Sequence, residues 1–153
     1  MGLNIKDLTI SSSVFDSGGP IPDRHTGAGE DASPALSWSG VPEGTRQLAL
    51  ICHDPDAPLP HGWTHWVLWG MPADASGIPE GGGSRFSEGP NDFGNPGWNG
   101  PAPPPGHGVH HYYFWLYALD TEIDESGLTR AGLLEVIGDH VIEQARVIGT
   151  CER

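Results

Sequence analysis

The chain has 153 residues, a formal net charge of −13, 23 glycines, 15 prolines and 6 tryptophans. Its few lysines and arginines are scattered, which excludes a cationic surface for nucleic acid and argues against insertion into an anionic membrane. The length fits one domain, which we expect over residues 1–153, and the tryptophans supply core for a loop-rich β-protein. The acidity itself is explained simply by solubility.

Predicted strands dominate the first half of the chain. The elements, in chain order, are an opening strand with imperfect alternation through Leu3, Ile5, Leu8 and Ile10, a loop over residues 18–33, strands over residues 35–38 and 47–52, a loop over residues 54–62, and a strand over residues 64–69. Residues 48–52 are continuously apolar, which is typical of a strand covered on both faces.

The second half begins with the longest irregular stretch, over residues 77–108. Phe93 and Trp98 lie inside it and give it side chains to bury, so we interpret it as a functional loop. Residues 110–119 then show the clearest alternation of the chain. One predicted face carries Tyr112, Phe114, Leu116 and Ala118, and the other carries Tyr113, Trp115 and Tyr117.

The pattern then changes to helical spacing. Leu134, Ile137, Val141 and Ala145 recur every three or four residues, and Thr129 is suited to cap the start of a helix. We therefore predict one late helix through these positions. Residues 147–151 are predicted to form a short last strand.

The two cysteines, Cys52 and Cys151, lie far apart and neither belongs to a CxxC motif. Residues 1–7 do not resemble a signal peptide, and the chain has no long apolar run. We therefore expect a reduced, cytoplasmic protein. A disulfide between the two cysteines is the alternative.

Three segments carry polar residues beside predicted strand ends, where binding residues concentrate. The first is Asp54-Pro55-Asp56-Ala57-Pro58, whose prolines stiffen a turn that presents two carboxylates; the second is Trp63-Thr64-His65-Trp66; the third is Gly106-His107-Gly108-Val109-His110-His111-Tyr112. Taken singly, they are equally consistent with a simple turn, a half-buried histidine and a glycine-rich turn with surface histidines. Their common location favours a ligand site.

These segments together resemble the phosphatidylethanolamine-binding protein family, in its bacterial, Raf-kinase-inhibitor-like branch. The resemblance rests on the order of the DPDAP turn at residues 54–58, the HW pair at residues 65–66 and the GPAPPPGHGVHHY run at residues 100–112. It extends from about residue 8 to the last residue. It implies a mainly β fold, a Greek-key β-sandwich with a large antiparallel central sheet, a smaller sheet and few helices, which agrees with the single late helix.

The resemblance also implies a ligand pocket for phosphate, phosphorylethanolamine or small acids such as acetate. Carried over by motif position, the pocket residues are Asp54, Asp56, Trp63, His65, Pro104, Gly108, His110 and Tyr112. No catalytic residue, metal or cofactor is expected. The expected partner is therefore a small phosphate-like or carboxylate ligand.

Two positions depart from the family pattern. The residue after His110 is often arginine in the family and is His111 here, which removes a fixed positive charge near the pocket. The C-terminal helix that covers the pocket in animal members is shortened here, so a long lipid tail would have little to cover it.

Carboxylates beside an anion site are compatible with binding if the histidines are charged. A nearby carboxylate raises a histidine pKa, so His65 and His110 could each donate a charge-assisted hydrogen bond to a phosphate oxygen. Backbone N–H groups of residues 106–108 could add further donors. In this hypothesis the two aspartates orient the histidines, and one accepts a hydrogen bond from the ammonium of ethanolamine.

Two other functions stay open. Asp54, Asp56, His65 and His110 are residue types that also hold metals, so an Asp/His or metal-assisted hydrolase is one alternative. Animal members of the family restrain kinases and proteases, so an inhibitor-like interaction protein is the other. Bacterial members often form homodimers, and exposed Trp98 or Trp115 would contribute to such a contact.

Overall fold

Two β-sheets and one helix make up the computed structural model, which describes residues 6–153. The elements in chain order are β1 (Thr9–Ser11), β2 (Gly19–Pro20), β3 (Leu36–Ser39), β4 (Gln47–Asp54), β5 (Trp63–Pro72), β6 (Gly77–Ile78), β7 (Ser87–Glu88), β8 (His110–Leu119), α1 (Arg130–Ile137) and β9 (Val141–Cys151). Single 3₁₀ turns lie at Asp23–His25 and Gly83–Arg85. The expected mainly β fold, with a large sheet, a smaller sheet and one late helix, is confirmed.

The larger sheet has six strands in the order β2-β9-β8-β4-β5-β7, and the smaller has three in the order β1-β3-β6. All pairs are antiparallel except β2 with β9, where Gly19 lies opposite Gly149. Among the described residues, no helix has the length and hydropathy of a membrane span.

The central strand β4 explains how the core is divided. Its apolar run is buried on both faces: Leu48, Leu50 and Cys52 join one cluster, whereas Ala49 and Ile51 join another. The first cluster fills the space between the sheets and the second lies beneath α1. The faces predicted for β8 follow the same division, with Tyr112, Phe114, Leu116 and Ala118 in the first cluster and Trp115 and Tyr117 in the second.

The predicted late helix is too long. It begins as expected, with the Thr129 hydroxyl accepting a hydrogen bond from the Gly132 N–H at 3.2 Å, but it ends at Ile137. Val141 and Ala145 belong to β9, which pairs with β8 from His110–Cys151 to Leu119–Val141. Ten backbone pairs with β8 outweigh an apolar spacing that happened to continue the helical period across the turn.

Other boundaries also differ from the predictions. The loop predicted over residues 18–33 contains β2 and a 3₁₀ turn, and the one predicted over residues 77–108 contains β6, a 3₁₀ turn and β7. Leu3 and Ile5 of the opening strand lie outside the described residues. Cys52 and Cys151 are both free, so the alternative of a disulfide between them is wrong.

Candidate functional site

A cavity of about 180 Å³ opens where β4 ends and where β5 and β8 begin. Antiparallel pairing brings these ends together, because His53 of β4 lies opposite both Thr64 of β5 and Tyr113 of β8. Residues from the flanking loops complete the wall. The lining consists of Asp54, Ala57, Pro58, Leu59, Trp63, His65, Phe93, Ala102, Pro103, Pro104, His110 and Tyr112.

Asp54 and His110 form a buried pair in this wall. Each is 2 % exposed, and Oδ2 of Asp54 accepts a hydrogen bond from Nδ1 of His110 at 2.6 Å. The other carboxylate oxygen, Oδ1, accepts the backbone N–H of Asp56 at 2.7 Å. Both oxygens of Asp54 are therefore engaged, and Nδ1 of His110 carries a proton, which leaves Nε2 as its remaining nitrogen.

That remaining nitrogen is covered by a second histidine. Nδ1 of His107 lies 2.6 Å from Nε2 of His110, so the two nitrogens share one proton. The contact produces a chain of hydrogen bonds from Asp54 through His110 to His107. His107 is not among the predicted pocket residues, and its position between two glycines is the sequence signal that sets it apart from the other histidines outside that set.

His65 is oriented by a different kind of group. It is 3 % exposed, and its Nδ1 donates to the backbone carbonyl of Asn99 at 2.6 Å. Burial lowers the pKa of His65 and outweighs the opposing hydrogen bond to Asn99 and the nearby carboxylates. The expectation that a carboxylate keeps His65 charged is therefore wrong, because no carboxylate bonds to its ring and desolvation disfavours the imidazolium.

A neutral His65 offers the cavity an acceptor. With the proton on Nδ1 given to Asn99, Nε2 carries the lone pair, and no group of the described residues hydrogen-bonds to it. Its ring packs edge-on against Phe93 and Tyr112, with centroid distances of 5.6 and 5.1 Å. Trp63 meets Phe93 edge to face at 5.4 Å and extends this aromatic wall.

Tyr112 supplies the complementary donor. It is the one hydroxyl-bearing residue among those that line the cavity. Burial raises the pKa of Tyr112, and the carboxylate of Asp54 acts in the same direction, so the hydroxyl keeps its proton. No lysine or arginine lines the cavity. The wall thus combines the acceptor of His65 and the hydroxyl of Tyr112 with one buried, already bonded carboxylate.

The loop of residues 100–108, which we name the arch, is held from outside the site. The backbone N–H of Gly100 donates to Oδ1 of Asp31 at 2.8 Å, the N–H of Gly27 donates to the carbonyl of Pro101 at 2.9 Å, and the N–H of Gly106 donates to the carbonyl of Arg153 at 2.9 Å. These bonds bring Pro104 to the cavity. No sequence signal identified Asp31 or Asn99 as supports of the site.

The family of the chain follows from its similarity to known proteins. The family model described as phosphatidylethanolamine-binding protein matches residues 11–152. The chain belongs to this family. It is 44 % identical over 153 residues to a UPF0098 protein of Methanothermobacter thermautotrophicus, a match that covers 95 % of this chain and 99 % of that protein.

Two bacterial crystal structures share the fold of this family member closely. A phosphatidylethanolamine-binding protein homolog from Chlamydia trachomatis is similar at a TM-score of 0.90 and 36 % identity, covering 95 % of this chain and 97 % of that one. Escherichia coli YbcL is similar at a TM-score of 0.90 and 32 % identity, covering 97 % and 99 %. These relatives support the expected bacterial branch of the phosphatidylethanolamine-binding proteins.

Six of the eight predicted pocket residues line the cavity, and Asp56 and Gly108 do not. Instead of orienting His65 or His110, Asp56 pairs with His111. Its Oδ2 accepts the backbone N–H of His111 at 2.8 Å and Nδ1 at 2.7 Å. Partial burial acts in the opposite direction, but these bonds leave the pKa of Asp56 below its ordinary value.

The structure bears on two other predictions, a metal site and exposed tryptophans. Within residues 6–153, no group of three or more His, Cys, Asp or Glu side chains has the geometry to hold a metal ion. Trp98, expected to be exposed, is half-buried and stacks on Phe114 at 5.9 Å, and Trp115 is half-buried beneath Arg146. Homodimer formation and an inhibitor-like role stay predictions.

Proposed function

We propose that this protein binds a small phosphoryl or carboxylic acid ligand of the phosphorylethanolamine type in the cavity between β4, β5 and β8. The observation that carries the proposal is that two buried histidines, His65 and His110, have their Nδ1 atoms fixed and both line one small cavity. Pockets of this kind orient a ligand with a few placed polar groups inside apolar walls.

The protonation states of His65 and Tyr112 favour a ligand that carries an acidic proton of its own. Neutral His65 accepts, so it suits a P–OH or carboxylic O–H group better than a bare oxygen. The Tyr112 hydroxyl can donate to an unprotonated oxygen of the same group. Since Asp54 already accepts two hydrogen bonds, the ammonium of phosphorylethanolamine would stay at the cavity mouth instead of pairing with it.

This reasoning predicts a defined pH dependence. A phosphoryl monoester loses its last proton near pH 6, so only about 1 % of it is still protonated at about pH 8. Affinity should therefore fall as pH rises, by about fiftyfold between about pH 6 and pH 8 if only the protonated form binds, because about half of the monoester is protonated at about pH 6. Because burial lowers the pKa of His65, this histidine is neutral over more of this pH range than an unperturbed histidine.

Calorimetric titration with phosphorylethanolamine tests the proposal. The matched ligand control is 2-aminoethyl sulfate, which has the same ammonium group but no sulfate proton to give to His65. We expect phosphorylethanolamine to bind more tightly at the lower pH and the sulfate to bind weakly at both. Equal affinity of phosphorylethanolamine at acid and alkaline pH would contradict this mode of binding.

A pair of variants on β8 locates the binding. Tyr112→Phe removes the hydroxyl that lines the cavity, whereas Tyr113→Phe removes one on the opposite face of the sheet, where Tyr113 stacks on Trp115. We expect a loss of about five- to tenfold in affinity for Tyr112→Phe, in line with one hydrogen bond, and none for Tyr113→Phe. Equal effects of the two substitutions would place the ligand elsewhere.

A further inference from the structure

His107 limits how a ligand can reach His110. Nδ1 of His110 is committed to Asp54, so Nε2 is the only ring nitrogen that a ligand could contact. Nδ1 of His107 lies 2.6 Å from that atom, which leaves no room for a ligand oxygen along the same direction. A ligand therefore binds without touching His110, or it takes the place of His107.

The surroundings of His107 favour displacement. The side chain of His107 is exposed, whereas His110 is almost fully buried. The flanking Gly106 and Gly108 have φ values of 75° and 93°, and a Cβ atom added at either would meet nothing within 4 Å. The backbone on either side of His107 is therefore not packed against other atoms, and its exposed side chain can turn towards solvent, while the Gly106–Arg153 backbone bond holds the arch behind it.

We propose that His107 is a displaceable cap that occupies Nε2 of His110 until a phosphoryl oxygen replaces it. The inference rests on the proposed function. It adds that a side chain of the protein itself competes with the ligand for Nε2 of His110. In the capped state the Nδ1–H of His107 donates to Nε2 of His110. In the bound state a second P–OH group, besides the one that His65 accepts, makes that hydrogen bond in place of the His107 N–H, and the monoanion of inorganic phosphate has both groups.

Removal of the cap should strengthen binding. His107→Ala removes the competing hydrogen bond, and we expect inorganic phosphate to bind about fivefold more tightly, which corresponds to about 1 kcal/mol. His107→Asn places an amide N–H near the position of Nδ1 and can restore the cap, so its affinity should lie near that of the unaltered protein. His111→Ala is the matched control, because His111 is also exposed and bonded to a neighbouring group, but its partner Asp56 does not line the cavity, whereas the partner of His107 does.

Calorimetric titration with inorganic phosphate at about pH 6 provides the test, since the monoanion carries two P–OH groups, one for each histidine Nε2. Tighter binding by His107→Ala, with no change in His111→Ala, supports the cap. Weaker or unchanged binding by His107→Ala overturns it, because His107 would then assist the ligand or play no part.

A further variant separates this inference from the proposed function. His110→Ala removes the ring that both proposals use, while the cavity keeps His65 and Tyr112. If His110→Ala lowers phosphate affinity and His107→Ala does not raise it, the proposed function stands and the cap is wrong. If binding is unchanged in His110→Ala, the ligand binds without touching His110, so the cap is wrong and the proposed function stands on His65 and Tyr112. If none of the proteins binds phosphate, both are wrong.

Discussion

Asp54→Asn is the substitution that most directly tests how the histidines are oriented. In the unaltered protein, Oδ1 of Asp54 accepts the backbone N–H of Asp56 at 2.7 Å. The side-chain oxygen of the asparagine must take over this role, so the NH₂ group of the asparagine takes the position of Oδ2. In the unaltered protein, Oδ2 accepts a hydrogen bond from Nδ1 of His110 at 2.6 Å. In the variant the NH₂ group and the Nδ1–H would be two donors facing each other, which is unfavourable. We therefore expect His110 to change tautomer, so that Nδ1 accepts from the asparagine and Nε2 donates to His107.

The expected loss of stability follows from the bonds involved. A buried hydrogen bond to a charged group contributes about 1.5–3 kcal/mol, against about 0.5–1.5 kcal/mol for a neutral one. Asp54→Asn should therefore lower the free energy of unfolding by about 1–2 kcal/mol. Asp54→Ala leaves two donors without an acceptor, one of them on a buried ring, and should cost about 3–5 kcal/mol.

Asp56→Asn is the matched control. Asp56 also pairs with a histidine, but the side chains of Asp56 and His111 are 40 % and 47 % exposed, and an exposed pair contributes at most about 1 kcal/mol. Urea unfolding at neutral pH gives the stabilities, and ¹⁵N NMR of the imidazole rings shows which nitrogen of His110 carries the proton. An unchanged His110 tautomer in Asp54→Asn, or equal losses at the two aspartates, would refute the reasoning.

Two further predictions concern buried groups outside the cavity. Burial, aided by Arg130, lowers the pKa of His53 to about 4 from 6.5, so its contribution to stability is present above about pH 6.5 and lost as pH falls towards 4. His53→Asn should therefore weaken the pH dependence of urea unfolding by about 1–2 kcal/mol across this range, and an unaltered pH profile would contradict it. Trp66 donates its Nε1–H to Glu88 at 2.8 Å, whereas the buried Nε1 of Trp98 has no partner among the described residues. Trp66→Phe should thus destabilise by about 1–2 kcal/mol more than Trp98→Phe in thermal or urea unfolding, and equal losses would show that the Glu88 bond contributes nothing.

Strand prediction from the sequence succeeded where one strand carries its own signal. The alternation from His110 to Leu119 gives both the bounds and the faces of β8, because each face packs into a different cluster. The apolar run of β4 likewise reports burial on both sides. Such strands are long enough for their own side chains to define their environment.

The shorter strands had no such signal. Gly19–Pro20 forms a strand only because Gly149–Thr150 lies beside it in parallel register, which is a contact between opposite ends of the chain. The helix ended early for a similar reason, since β8 pairs with residues that also fit a helical period. Strand pairing between distant parts of the chain decides these cases, and the local sequence pattern gives no information about that pairing.

The residues of the candidate site also fall into two groups, those that a motif identifies and those that only tertiary contacts bring to the site. The Asp54–His110 pair was expected because both residues belong to motifs whose combination is specific to the family, and the structure places them in contact. The support of His65 by Asn99, and of the arch by Asp31, joins residues far apart in sequence through backbone atoms. A backbone carbonyl or N–H leaves no trace in residue identity, so such supports cannot be found by motif.

The groups that orient the two histidines determine the hydrogen bonds that the cavity can offer more than the residue composition of its wall does. A carboxylate braces His110 and a carbonyl braces His65, and in both rings the brace takes Nδ1 and leaves Nε2. One Nε2 is covered by His107 and the other is open, so the two histidines are unequal before any ligand arrives. Because no lysine or arginine lines the cavity, hydrogen bonds instead of a fixed positive charge would meet the negative charge of a bound acid. Selection among small acids should then depend on how many protons the acid carries at the working pH.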